Sequence, residues 1–142
     1  MEVITSTLLQ RLECCHAAII AGSAEIEAHC DRETPDLVAL ALTRVKISRA
    51  STERSQLVRD VIVPKLLEQA DSALRGELSE MLTAFSAKRA ASSKHVATWS
   101  TWTIQHNWNG YREASRAIRT MMHEQIERER TILGSRLRNR GL

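Results

Sequence analysis

His123 and Glu127 stand four residues apart in the last quarter of the chain. On a helix that spacing puts an imidazole and a carboxylate on one face, close enough to hold one metal ion between them. His16 and His29 offer two further nitrogen donors from far upstream. A site built from His16, His29, His123 and Glu127 would be sparse and mononuclear. The favoured account leaves the histidines as surface or half-buried side chains satisfied by hydrogen bonds, with His95 and His106 flanking a turn.

A second pair has the opposite chemistry. In RSQLVRDVIVPKLL, residues 54–67, Arg54 and Val58 lie one helical turn apart, ahead of Pro64. Arginine stays protonated and has no lone pair for a metal, and valine has no donor atom. An inward Arg54 needs an inward carboxylate such as Glu127, because an unpaired buried cation is costly. At the edge of a core it would reach water past its own apolar stem. Trp99, Trp102, Trp108 and Tyr111 gather round one turn. They could line an apolar ligand pocket. Closing the end of a core is the favoured use. Cys14 and Cys15 are adjacent, and with Cys30 they form an odd set without CxxC spacing. Reduced, core-filling thiols in a cytoplasmic protein are expected. Arg128, Arg130, Arg136, Arg138 and Arg140 make a basic end that suits a helix C-terminus, and without interleaved aromatics it makes no case for nucleic acid. No glycine-rich phosphate loop and no nucleophile with its base stands out, so an enzyme is not expected.

The elements that must position these residues follow from apolar spacing. Leu8, Leu12, Cys15, Ile19, Gly22 and Ile26 recur at steps of four and three, which predicts a helix over 2–29. Thr34 and Pro35 suit the start of a second helix over 35–68. Its stripe runs Leu37, Leu40, Arg44, Ile47, Ser51, Arg54, Val58 and Val61, so polar groups interrupt it at mid-helix. Pro64 must kink or end it. Asp71 or Ser72 caps a third helix over 72–95, carried by Leu74, Leu78, Met81, Phe85 and Lys88 and fraying in a polar last turn. Ser100 or Thr101 caps a fourth over 101–137, with Ile104, Trp108, Tyr111, Ser115, Ile118, Met122, Ile126 and Leu133 on one side. Gly110 there invites a close backbone approach. Short turns between four amphipathic helices predict an all-α, antiparallel up-down-up-down four-helix bundle in a single domain.

RSQLVRDVIVPKLL resembles the end of the second helix in hemerythrin-like (HHE) domains, where a His, a Glu four residues later and a Leu-Tyr-Pro run are typical. WSTWTIQHNWNGYREASRAIRTMMHEQIERERTILGSRL resembles the corresponding late stretch of bacterial members, with a Trp, a second Trp before Gly-Tyr and a closing acidic helix. The resemblance covers about residues 35–137 and rests on the order of features. It implies a hemerythrin-like bundle, and in complete members non-haem iron. Aligned on Pro64, the family's His falls on Arg54 and its Glu on Val58. The third helix has no His between Ser72 and Ser93. Aligning Gly134 with the family's proline puts Glu124 and Arg128 at the ligand positions rather than His123 and Glu127. At most half of a di-iron site survives, so the resemblance implies a relative with a degenerate metal site.

The chain has 142 residues, enough to bury a core without metal or disulfide staples. A net charge of +3, with both signs mixed, is too balanced to imply nucleic-acid binding. The start MEVITSTLLQRLECC lacks a basic run followed by an apolar block, and no apolar run approaches a bilayer span; no signal peptide and no membrane contact are expected. The expected function is a non-enzymatic cytoplasmic binding or regulatory module without cofactor, working through a protein partner, with a homodimer open. Its alternative is a genuine non-haem iron protein for dioxygen or nitric oxide sensing or iron storage. A third class is a ligand-binding bundle using the tryptophans.

Overall fold

The computed structural model describes residues 6–142, and among them the regular structure is entirely helical. Helix α1 covers Leu8–Cys30. Thr7 caps it by accepting from Gln10 N, while the Gln10 side chain accepts from Thr7 N, a reciprocal box that satisfies two orphan donors. The expected start at residue 2 lies outside the described residues.

Helix α2 spans Leu37–Gln56, with Asp36 rather than Thr34 as its cap. A π-helical segment, Leu57–Ile62, and a short helix α3, Val63–Leu67, continue the same rod. Pro64 has no N–H to give the helix ladder, and the widened turns directly ahead of it take up the defect. They also shift the phase of the stripe. Ile62 is fully buried, whereas Val61, the expected stripe residue, is exposed.

Helix α4, Ser72–Thr98, is capped by Asp71, which accepts from Leu74 N at 2.8 Å. It runs unbroken through the polar segment expected to fray. The fourth rod is broken where one helix was expected. Helix α5, Thr101–His106, starts on Ser100 and stops at Asn107, whose non-helical backbone begins helix α6, Trp108–Glu129. Asn107 Oδ1 accepts from Gly110 N, and a Cβ at Gly110 would overlap the Asn107 side chain. The glycine therefore makes room for a capping side chain and not for a neighbouring backbone. A second π segment, Arg130–Gly134, leads into α7, Ser135–Asn139.

Close approaches join α1 to α2, α4 to α6, and α1 to α6. At Gly22 of α1 an added Cβ would overlap Ile47 of α2, so the missing side chain sets that approach. The apolar core gathers at two ends. One end holds Leu12, Val58, Ile62, Leu78, Phe85 and Leu133. The other holds Ile26, Cys30, Leu40, Ile104 and Tyr111. Between them only Ile19, Ala50 and Ile126 form a thin apolar link. At this level the inward positions of α2 and α4 carry Arg44, Ser51, Arg54, Lys88, Ser92 and His95. Polar faces give two helices little hydrophobic reason to close on each other. No helix among the described residues is long and apolar enough to cross a membrane.

Candidate functional site

The middle level is built round Glu129, the last residue of α6, whose side chain is fully buried. Its Oε2 accepts from Arg54 Nη1 and from Gln125 Nε2, each at 2.8 Å. Its Oε1 lies 2.8 Å from His16 Nε2. An ionised carboxylate only accepts, so the His16 proton sits on Nε2. Arg54 is 9% exposed, and its guanidinium carbon lies 5.2 Å from the Phe85 ring centroid, a cation–π contact that offsets part of its desolvation. Three side chains from α1, α2 and α6 thus converge on one carboxylate at the molecule's centre.

Local sequence explains the convergence. Arg54 and Glu129 each stand just ahead of a π segment. Buried residues then follow at four-residue steps: Val58, Ile62 and Leu66 after Arg54, and Leu133 and Leu137 after Glu129. Four α-helical residues overshoot one turn by about 40°. The wider turns absorb that drift and keep each charged residue in line with the core below it.

The inward arginine meets Glu129, not Glu127. The Glu127 side chain is 69% exposed and pairs with Arg130. The spacing from Ile126 to Leu133 left room for one inward residue at 129 or 130, and that gap was the available signal. His16 was legible too, four residues after Leu12 on the buried face. The other candidate ligands disperse. His123 Nε2 lies 3.1 Å from Ser23 Oγ, and His29 Nε2 lies 3.5 Å from Thr43 Oγ1. Among the described residues no three His, Cys, Asp or Glu side chains are placed to hold a metal ion. Val58 is fully buried in apolar surroundings. One carboxylate and one imidazole, already bonded to each other and to a guanidinium, do not fit the iron centre that the resemblance implies.

Beside this cluster a groove of about 990 Å³ opens between α2 and α4, with α1 and α6 behind it. Arg54 and Gln125 belong to both. Tyr111 lines the groove's far end, where Arg44 stacks 5.6 Å from its ring centroid. Trp99 and Trp108 pack against the same tyrosine, at 5.8 and 5.7 Å between centroids, and belong to the apolar end of the core. Trp102 stands away from them, 68% exposed and stacked on His106. The expected four-aromatic pocket is therefore three aromatics closing a core end, with Tyr111 alone facing the groove. Burial, helped by Arg44, holds the His95 imidazole below its ordinary range, and burial pushes the Tyr111 phenol up. On α1, burial and then Glu53 push the Cys15 thiol up; Cys15 is a buried, core-filling thiol, while Cys14 is exposed.

Comparison with models of protein families, with curated proteins and with solved structures returns no match.

Proposed function

We propose that this chain is a non-enzymatic binding module: a four-helix, hemerythrin-like bundle in a single domain, in which an organic ion cluster occupies the place of a metal centre and the adjoining groove receives a ligand. The observation that carries this reading is the Arg54–Glu129 pair. Arg54 stands where the resemblance expects a histidine ligand, and its side chain points inward to a fully buried carboxylate. A guanidinium supplies the positive charge that such a carboxylate requires, and it does so without an open coordination position. The antiparallel order of the rods is supported by the short connections between α1 and α2, between α3 and α4, and between α4 and α5.

Metal content tests the reading. Elemental analysis and visible absorption of protein purified without chelator should show iron and other transition metals far below one per chain. Stoichiometric iron with a charge-transfer band would overturn it.

A further inference from the structure

We infer that the groove between α2 and α4 binds an organic anion with an apolar body, its anionic head held by Arg44. The inference rests on the groove being the binding site and names the class of ligand it takes.

Size is the first ground. About 990 Å³ lies at the upper end of the range for small-molecule sites, far more than an inorganic ion needs. The second ground is charge. Arg44, Arg49, Arg54, Lys88, Arg89 and Arg119 line the groove, against Glu53 as the sole acidic residue. Arg54 and Arg119 are matched by Glu129 and Glu27. Arg44, Arg49, Lys88 and Arg89 have no carboxylate within 4.0 Å among the described residues. Four cations without a carboxylate partner thus line one concave place, in a chain whose net charge is only +3.

The third ground is the polar atoms left over. Arg44 Nη2, Arg54 Nε and Gln125 Oε1 are buried and lack a hydrogen-bond partner among the described residues. All three belong to residues that line the groove. Buried donors without acceptors are costly, and two of these three are guanidinium N–H groups, whose preferred acceptors are anionic oxygens. Arg44 is the better seat for the charge, since the positive charge of Arg54 is already met by Glu129. Behind them Ile19, Ile26, Ile118, Met122 and Ile126 supply an apolar back wall. Val45 and Val96 at the groove are 49% and 53% exposed, apolar surface that the body of such a ligand would cover.

The test uses the full chain and dodecanoate below its micelle concentration, followed by isothermal titration calorimetry. Dodecyltrimethylammonium carries the same tail with the opposite charge, and acetate carries the head alone. Dodecanoate should saturate one site. The cationic amphiphile should bind at least about tenfold more weakly, and acetate should show no saturable binding. Arg44→Met should weaken dodecanoate by about tenfold, and Ser48→Trp, which projects an indole into the groove from an exposed position, should weaken it as well. Equal or tighter binding of the cation would overturn the anion class and leave the binding-module reading standing. No saturable binding of dodecanoate, or binding indifferent to both substitutions, would overturn the inference. Stoichiometric iron in the separate metal analysis would instead sink the reading beneath it.

Discussion

Glu129 shows how much one residue can demand of its neighbours. Its carboxylate is out of reach of water, so three neighbouring polar side chains are recruited to satisfy it. Removing one partner leaves the other charge stranded. Arg54→Met should therefore cost about 3–5 kcal/mol in urea-induced unfolding, while Arg54→Met with Glu129→Leu should recover most of that loss. A single variant as stable as the parent would show that the pair does not hold the centre together. His95 permits a prediction in pH. Burial and the nearby Arg44 depress its pKa from the ordinary 6.5, so the folded state favours the neutral ring. Its contribution to stability is intact above about 6.5 and is lost as the pH falls through the depressed folded value. Between about pH 7 and pH 5 the urea midpoint of the parent should fall more steeply than that of His95→Gln; parallel profiles would remove His95 from the account.

At the scale of the helix, small defects in regularity do the positioning. The π turns before Pro64 and after Glu129 realign two buried stripes, and Gly22 lets α2 lie close on α1. Gly22→Ala sets its new methyl against the Ile47 side chain, and overpacking of this kind costs about 1–3 kcal/mol. The loss should appear as a lower urea midpoint. Combining it with Ile47→Ala, which clears the space, should give a double variant less destabilised than the two single effects added together. Strict additivity would mean that the helices part freely at this point.

Over the whole molecule, the core is strong at its two ends and thin at the level of the groove. Like charges line that level, and they repel across a partly enclosed space. Screening should relieve this repulsion more than it weakens the exposed ion pairs, which contribute little. Raising the salt concentration from about 0.02 to about 0.2 M should lift the thermal midpoint by about 2–4 °C, the shift expected of about 1 kcal/mol in a chain of this length. A midpoint that falls with salt would mean that the surface ion pairs outweigh the groove. Arg44→Met should reduce the salt response, because it removes one of the facing charges.

The helical character could be read from the chain, and the caps could be narrowed to Asp71 or Ser72 and to Ser100 or Thr101, because each depends on residues within one or two turns; whether Arg54 turns inward or lies at the core edge could not. The polar interruptions in the second and third stripes were visible in the same way. Their consequence was not, since a groove exists only when two such faces meet. Which carboxylate answers Arg54 also lay beyond local pattern. Glu127 and Glu129 sit on one helix only two residues apart; the gap between Ile126 and Leu133 marks 129 or 130 as inward, but not what that residue would meet. The break at Asn107, the phase set by the π turns and the approach of α1 decide it. They rotate position 129 into the core and leave position 127 in water. Periodicity is a property of one helix, whereas the partner of a buried charge is settled only when several helices pack together.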